Sequence, residues 1–223
     1  MTISIAAWDQ QTGQFGAAIS SSSISVSSRC LHWRPNVGIA LSQNITDPRL
    51  GQRMLGLLAD GVTTTGAVNA VVASTPYAQY RQLALVNNKG ETGLFTGDQV
   101  LGCFSSAQGK HCVAAGNLLA NDGVPAAMIA SFEQSSGSFG QRILDALRAG
   151  VDAGGEAGSL HSAGLLIGAD VSWPIAELRI DWDEDPIGKM MTGWALYEPQ
   201  IEDYITRAFN PGAAPSYGVP GDL

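Results

Sequence analysis

The hydrophobic and polar positions alternate with a period of two at the start of the chain, which is typical of β-strands. A turn that contains glycine, DQQTG, separates two such segments, TISIAAW and QFGAAISSSS. Together they predict a β-hairpin with Thr2 at one end. A further strand, NVGIALSQN, is expected to follow.

The pattern then changes to helical spacing. In the segment DPRLGQRMLGLLADG we expect Asp47 to be the N-cap, Pro48 to occupy the first helical position and Gly61 to end the helix. The apolar side chains of this helix fall on one stripe, formed by Leu50, Met54, Leu57 and Leu58. A second helix is expected at once, around TTGAVNAVVAS.

Strands and helices return in blocks along the rest of the chain. The next strands are predicted at QLALVNN, ETGLFTG, VLGCFSS and KHCVAAG. Two helices follow, VPAAMIASFEQ and FGQRILDALRAGVDAGG, the latter with its apolar stripe at Phe139, Ile143, Leu144, Leu147 and Val151. HSAGLLIG and ELRIDWD predict late strands, and a last helical stretch is interrupted at Pro199. Strands in blocks argue against a doubly wound parallel sheet and favour two stacked sheets flanked by helix layers.

One domain is expected, because 223 residues bury a sizeable core without requiring a second one. The composition, with 45% hydrophobic and 14% charged residues, is that of a packed globular protein. We assign this domain to residues 1–209. Residues 210–223, NPGAAPSYGVPGDL, predict a loosely ordered tail rich in proline and glycine.

The charge balance excludes several classes of partner. With a formal net charge of -8 and only 12 Lys and Arg, the chain lacks the clustered cations that grip phosphate backbones, so nucleic acid is not expected as a partner. No apolar run approaches the roughly 18 residues of a membrane span, and the few basic residues argue against an anionic membrane surface. The first residues lack the features of a signal peptide, so a cytoplasmic location is expected.

Familiar cofactor and catalytic motifs are absent from the sequence. It contains no GxGxxG after a strand, P-loop, HExxH or GxSxG, so no metal or organic cofactor is expected. The histidines His32, His111 and His161 lack metal-ligand spacing. The three cysteines show no CxxC spacing and are interpreted as small buried side chains, Cys30, Cys103 and Cys112.

Thr2 is the candidate for chemistry at the start of the chain. Initiator methionine is generally excised when the second residue is as small as threonine. Excision would leave Thr2 with a free α-amine beside its own hydroxyl. The reference pKa of such an amine, about 7.7 to 8.0, lets it accept the hydroxyl proton near neutral pH, so one residue would supply nucleophile and base. The alternative is that Thr2 only begins an edge strand.

Six segments carry a resemblance to a known family: TISIAAWDQQTGQFGAAISSS, LSQNITDPRLGQRML, YRQLALVNNKGETGLFTG, VAAGNLLA, DAGGEAGSLHSAGLLIG and ELRIDWDEDPI. From about residue 2 to residue 207 the chain resembles the bacterial domain of unknown function 1028 family, a branch of the Ntn (N-terminal nucleophile) hydrolases. This resemblance implies an α+β fold, a four-layer αββα sandwich with two mainly antiparallel sheets. It also implies hydrolysis of an amide-type C–N bond of a small molecule without metal or organic cofactor, and a homo-oligomer.

The resemblance also implies roles for residues around Thr2. Asn117, at the end of AAGN, would offer oxyanion-hole donors together with nearby backbone N–H groups; its alternative is a turn or capping residue. Glu156 and Ser159, in EAGS, match an acidic-x-x-Ser element that supports the nucleophile's amine, although Asp is more usual at the acidic position. A solvated loop acid is the alternative reading of Glu156.

Further candidates for substrate binding lie on the strands beside Thr2. Ser21 and Ser22 close the second strand of the first hairpin, and Gln43 ends NVGIALSQN, where it would reach the mouth of the site or serve as an ordinary edge-strand amide. Relatives carry a basic residue just after the first of these serines, and this chain does not. Arg29 or Arg81 would have to supply that cation.

Two other functional readings stay open. A member that lacks the cation near its nucleophile could keep the sandwich as a non-catalytic binding or assembly module. Alternatively, an internal serine could work with His161 as a hydrolase, because catalytic triads assemble in space rather than in sequence. Substitution of Thr2 separates these readings, since only the N-terminal mechanism requires its hydroxyl.

Overall fold

The computed structural model describes residues 2–219. Met1 and residues 220–223 lie outside the described part, and with them the predicted removal of Met1 and the end of the predicted tail. The described residues form ten strands. In chain order these are β1 (Thr2–Trp8), β2 (Phe15–Ser21), β3 (Leu31–Arg34), β4 (Gly38–Asn44), β5 (Arg81–Asn87), β6 (Thr92–Thr96), β7 (Ser105–Gly109), β8 (Cys112–Asn117), β9 (Ser162–Gly168) and β10 (Ala176–Ile180).

The strands form two antiparallel sheets. One has six strands in the order β10-β9-β2-β1-β8-β7, and the other has four in the order β3-β4-β5-β6. The predicted first hairpin is confirmed: β1 pairs with β2 from Ile3 opposite Ser20 to Trp8 opposite Phe15. β1 lies in the interior of its sheet, because β8 pairs with its other edge.

Seven α-helices occur within the described residues. They are α1 (Ser27–Cys30), α2 (Arg49–Ala59), α3 (Thr64–Ala73), α4 (Val124–Gln134), α5 (Phe139–Asp152), α6 (Pro186–Tyr197) and α7 (Ile201–Phe209). A 3₁₀ turn that contains Pro199 separates α6 from α7, as its missing N–H predicts. The start of α2 differs from the prediction by one position: Pro48 precedes the helix, and Asp47 accepts from the Arg49 N–H and guanidinium.

Three apolar clusters hold these elements together. One lies between the two sheets and includes Ala17 and Ile19 of β2 with Leu41 of β4. A second fills the space between the other face of the six-stranded sheet and the helices α4, α5 and α6. A third joins α2 and α3 to the outer face of the four-stranded sheet. The two sheets are therefore packed face to face, with helices on both outer faces.

The helical stripes are confirmed in part. In α5 the predicted residues Phe139, Ile143, Leu144 and Leu147 are buried, whereas Val151 is only half-buried. In α2 the helix buries Leu55 in place of Leu57 and Leu58, which lie at the rim. A rim position still removes part of an apolar side chain from water, so sequence spacing alone does not separate it from the core.

One local prediction from the strand pattern fails, and two short elements were not predicted. The segment VLGCFSS is not a strand up to residue 104: Gly102 has a φ of 66°, and the regular strand β7 begins only at Ser105. Helix α1 and strand β3, in contrast, arise from a serine-rich stretch that gave no periodic signal. Their positions depend on packing, since Cys30 and Leu31 belong to the cluster between the sheets.

The end of the described chain lies against α7. The Arg207 guanidinium donates to the Pro215 carbonyl at 2.9 Å and stacks 3.9 Å from the centre of the Tyr217 ring. A 3₁₀ turn at Pro211–Ala213 is the only regular element after residue 209 within the described chain. The division into a domain of residues 1–209 and a tail stays a prediction.

Candidate active site

Three of the predicted site residues lie side by side on one face of the six-stranded sheet. Thr2 is directly opposite Asn117 on β8, and extension of the β1–β2 register by one residue puts Ser21 on its other side. Residues opposite each other share a face of the sheet. Ile19, two positions from Ser21, belongs to the cluster between the sheets, so all three side chains face the four-stranded sheet.

All three residues are withdrawn from solvent. Thr2 is 6% exposed, and Ser21 and Asn117 are fully buried. The backbone of Thr2 is fixed by the strand ladder. Trp8 N–H donates to His111 C=O at 2.9 Å, so Trp8 and His111 are a hydrogen-bonded pair of the ladder between β1 and β8. Such pairs recur at every second residue of an antiparallel ladder. Thr2 lies six residues before Trp8 in the same register, so Thr2 and Asn117 are also a hydrogen-bonded pair. The Thr2 nitrogen is therefore directed at β8.

A network of buried side-chain amides spans the two sheets beside Thr2. Ser4 Oγ donates to Gln43 Oε1 at 2.7 Å, and Gln43 Nε2 donates to Gln82 Oε1 at 2.8 Å. Asn117 Nδ2 donates to the same Gln82 oxygen at 3.2 Å. None of these four side chains is more than 1% exposed, so Gln43 belongs to the interior and not to the mouth of the site.

The backbone groups after Asn117 are occupied. Leu118 N–H donates to Leu101 C=O at 3.0 Å, Leu119 N–H to Cys103 C=O at 2.8 Å and Ala120 N–H to Gly155 C=O at 3.1 Å. These are the N–H groups that the sequence suggested as oxyanion donors near Asn117. Because each already has a carbonyl partner, an oxyanion would have to be stabilised by other donors.

Glu156 is held next to the same end of the sheet. It pairs with Leu119 in an antiparallel bridge, and its Oε2 accepts from Ser22 N–H at 3.2 Å. The side chain is 6% exposed, and Oε1 has no hydrogen-bond partner among the described residues. Burial raises the pKa of Glu156 from 4.5 to about 7, while the positive amino terminus and the bond from Ser22 act in the opposite direction. The carboxyl group therefore titrates near neutral pH.

Ser159 lies apart from Thr2. It is exposed in the loop after Glu156, and both residues line a cavity of ≈ 310 Å³ at the start of α6. Arg148, Glu184 and Asp185 also line this cavity. Glu156 thus lies between the accessible cavity and the buried row formed by Ser21, Thr2 and Asn117. Ser159 is on the cavity side of Glu156.

Arg29, and not Arg81, is connected to the row. Arg29 donates to Ser23 Oγ at 2.6 Å, and Ser23 Oγ lies 2.8 Å from Ser21 Oγ. Arg81 is on the same face of β5 as Leu83, which belongs to the cluster between the four-stranded sheet and the helices α2 and α3. Because side chains alternate along a strand, Arg81 is directed away from Thr2. A chain of two hydroxyl groups therefore links a cation to the side chain next to Thr2.

His161 and Ser162 serve structural roles. Ser162 Oγ donates to Ser23 C=O at 2.6 Å and accepts from Val26 N–H at 3.2 Å. The His161 ring stacks on Trp182 with 4.3 Å between ring centres, and its Nδ1 lies 3.3 Å from the Asp183 carbonyl oxygen. No contact joins the two as nucleophile and base in the described structure.

The cysteines differ from the prediction at one position. Cys30 and Cys112 are buried, but Cys103 is exposed in the loop before β7, and all three are free thiols. Within residues 2–219 no group of three or more His, Cys, Asp or Glu side chains is placed to hold a metal ion. Among the same residues, no helix has both the length and the apolar character needed to cross a bilayer.

Ser4, Gln82 and Ser23 were not among the predicted site residues. A signal for the first two exists in the sequence, since each is a polar side chain at an inward position of an otherwise apolar strand, TISIAAW and QLALVNN. Ser23 gives no signal of its own within ISSSSISVSS. Its position depends on the turn after β2 that brings it back to Ser21.

Replacement of Glu156 by glutamine is expected to change the pH dependence of stability. The folded state binds this proton more tightly than the unfolded chain, so wild-type stability is lost as pH rises from about 4.5 to about 7. A glutamine keeps the bond from Ser22 without a charge. We expect the free energy of unfolding of Glu156→Gln to rise relative to the wild type by about 3 kcal/mol across this window, because each pH step of one between the two pKa values contributes about 1.4 kcal/mol.

The measurement is urea unfolding of both proteins between pH 4 and pH 8. Glu177→Gln, at an exposed position of β10, is the control for the loss of one carboxyl group. A constant difference between Glu156→Gln and wild type over the whole range would contradict the assignment of a buried, proton-binding carboxyl to Glu156.

Comparisons with known proteins give a family and a fold neighbour. The model of a family of unknown function, DUF1028, matches residues 2–190. The crystal structure of protein SPO2555 from Silicibacter pomeroyi, described with the same family model, is 32% identical and covers 89% of this chain and 88% of its own, with a TM-score of 0.82. No curated protein matches.

More distant neighbours are Anbu proteins. Anbu (ancestral beta-subunit) from Yersinia bercovieri is 13% identical, with a TM-score of 0.41 over 92% of this chain and 97% of its own. An Anbu mutant (Gly-1) from Hyphomicrobium sp. strain MC1 is 14% identical, with a TM-score of 0.43 over 98% of this chain and 100% of its own. The family match and the SPO2555 structure agree over nearly the whole chain, and this protein belongs to the DUF1028 family.

Proposed function

We propose that this protein is an N-terminal-nucleophile hydrolase that cleaves an amide-type C–N bond of a small molecule. Thr2 is its nucleophile after removal of Met1. The observation that carries the proposal is the position of Thr2, which begins a central strand and lies buried between Ser21 and Asn117 on the face between the sheets. In this proposal the face-to-face sheets with helices on both outer faces are the four-layer αββα sandwich of that superfamily.

The reaction follows from a free α-amine at Thr2. The neutral amine takes the proton of the hydroxyl while Oγ attacks the substrate carbonyl, and collapse of the tetrahedral intermediate breaks the C–N bond. The amine returns the proton to the departing nitrogen. Water then attacks the ester by the same route, releasing the acid and restoring the hydroxyl.

The surroundings of Thr2 divide into two sides in this proposal. On one side, Arg29 polarises the Ser21 hydroxyl through Ser23 and so places positive charge towards the nucleophile. On the other, Glu156 faces the amine, and its attachment to Ser22 N–H fixes its direction. Ser159 and the accessible cavity beside Glu156 then receive the remainder of the substrate.

The cavity fits a small-molecule substrate. Its volume of ≈ 310 Å³ is at the lower end of the range for ligand sites. Self-association is also proposed, from the exposed apolar side chains Ile45, Leu101 and Phe104 in the loops after β4 and β6. Light scattering of the purified protein tests this second point, and a monomer would contradict it.

A covalent probe tests the nucleophile without knowledge of the substrate. The protein is produced with Thr2 as its first residue, by cleavage of an N-terminal fusion directly before it, and as a form that retains Met1. Both are treated with a β-lactone, whose ring C–O bond breaks when Oγ attacks its carbonyl, so that the whole mass of the lactone is added. We expect peptide mapping to locate the adduct on residue 2 in the first form alone. Equal labelling of both forms, or labelling elsewhere, would contradict the proposal.

A further inference from the structure

The amide network between the sheets has a fixed direction. Gln82 Nε2 donates to two main-chain carbonyls, Gly116 C=O at 3.1 Å and Ser105 C=O at 3.3 Å, and lies 3.4 Å from Thr96 Oγ1. A carbonyl oxygen accepts hydrogen bonds and cannot donate them. The NH₂ group of Gln82 must therefore face β7 and β8, and its Oε1 must face the other way.

The orientation of the Gln82 amide fixes the orientation of the two amides that contact its Oε1. Both Gln43 and Asn117 must present their NH₂ groups to that oxygen, because two carbonyl oxygens in contact would leave each without a donor. In Asn117 the donor side is thus turned to Gln82, and Oδ1 is turned away from it. Oδ1 is buried and has no partner among the described residues.

Two buried acceptors without partners consequently lie at the end of the sheet where Thr2 begins. One is Asn117 Oδ1, on the residue opposite Thr2, and the other is Glu156 Oε1. Glu156 pairs with Leu119, two residues after Asn117, so the two acceptors lie at the same end of the sheet. Buried acceptors are costly unless a donor reaches them, so this arrangement suits a group that carries several N–H bonds.

We propose that Asn117 serves this site as a hydrogen-bond acceptor for the α-amine of Thr2, and that Gln82 is the positioning residue that turns Asn117 Oδ1 towards that amine. The inference uses the free Thr2 of the proposed function and does not depend on hydrolysis. It replaces the donor role that the sequence suggested for Asn117, because Nδ2 is already bound to Gln82.

The proposed contact explains how the lone pair of the Thr2 amine is oriented towards the Thr2 hydroxyl. A neutral amine has two N–H bonds and one lone pair. The ladder directs the Thr2 nitrogen at Asn117 C=O, and Asn117 Oδ1 takes the second N–H bond. The lone pair is then left for the hydroxyl of Thr2 itself. Without the second acceptor the amine rotates, and the lone pair is aligned with the hydroxyl only part of the time.

The experiment measures the pKa of the Thr2 amine by ¹⁵N NMR. Protein with a ¹⁵N-labelled Thr2 as its first residue is compared with Asn117→Leu, Gln82→Leu and the double variant, each checked for folding by its ¹H–¹⁵N spectrum. An acceptor favours the charged amine, so we expect the pKa to fall by about one unit in Asn117→Leu and by part of that in Gln82→Leu. The double variant should match Asn117→Leu, since Gln82 acts through Asn117.

The buried titratable groups of the neighbouring segments are the Glu156 carboxyl, which accepts from Ser22 N–H, and the Cys30 thiol. Both residues are unchanged in all four proteins. An unchanged amine pKa in Asn117→Leu, or additive effects in the double variant, would overturn the inference. These outcomes differ from a failure of the proposed function, which would leave the pKa shifts present and the lactone unreacted.

A measurement without substitutions covers the case in which a variant does not fold. Neutron diffraction from deuterated crystals of the protein that begins at Thr2 distinguishes the two ends of the Asn117 amide. We expect Asn117 Oδ1 about 3 Å from the Thr2 nitrogen with a deuteron between them. The ND₂ group of Asn117 facing that nitrogen would overturn the inference.

Discussion

Replacement of Thr2 by alanine is expected to reduce amide hydrolysis by the mature protein at least about a thousandfold, because the variant keeps the amine and loses the only atom that attacks the carbonyl. The residue lies between Ser21 and Asn117 in the interior of the sheet, so a water molecule has no equivalent position for attack. The measurement is product release from a panel of small amides, lactams and cyclic ureas.

Two controls separate chemistry from folding in this comparison. Thr2→Ser retains a hydroxyl at the same position and should keep part of the rate, since serine serves the same mechanism. Thr12→Ala, in the exposed turn between β1 and β2, should leave the rate unchanged. The first residue of every protein is verified by mass spectrometry. Thr2-independent hydrolysis would contradict the proposal and favour an internal nucleophile, and the absence of any turnover would favour a binding module.

The second large effect concerns the core that joins the two sheets. Ile19 is fully buried on β2 in the apolar cluster between the sheets, two residues from Ser21. Ile19→Ala removes three carbon atoms and leaves a cavity that the rigid sheets cannot close. We expect the free energy of unfolding to fall by about 3 kcal/mol. Urea unfolding at fixed pH measures the change.

The matched control is the same exchange at Ile24, five residues later and 59% exposed. Ile24→Ala should change the free energy of unfolding by less than about 0.5 kcal/mol. Equal losses at the two positions would mean that the space between the sheets contributes little to stability, contrary to the packing described. Because Ile19 is close to the row that contains Thr2, its replacement should also reduce labelling of Thr2 by the lactone.

Most strands and helices followed from local pattern because one face of each is buried, whereas the short elements α1 and β3 were missed although Cys30 and Leu31 are buried. β1, β2 and β8 alternate because one side packs on helices and the other on the opposite sheet, and α5 repeats its apolar residues for the same reason. The pattern failed where a segment has no buried face. The stretch before Ser105 is exposed although it reads as a strand, and its backbone is set by bonds from Leu118 and Leu119.

The sequence suggested most residues of the candidate site, but it located next to each other only those that are joined by a short turn. Thr2 and Ser21 are brought together by a short hairpin, which the turn between them announces. Asn117 and Glu156 were suggested by family resemblance, and the register of β1 with β8 gives Asn117 its place. Gln82 was missed, because its partners Gln43 and Asn117 come from two different sheets and from distant segments.

The sequence by itself determined the block order of strands and helices, the family and the residue at the start of β1, since periodicity and turn chemistry depend on neighbouring residues. Only the tertiary structure decided which polar groups meet between the sheets, which way the Asn117 amide points and why Glu156 titrates near neutral pH. These properties depend on burial and on hydrogen bonds between segments that are far apart in the sequence. A local pattern of neighbouring residues carries no information about such contacts.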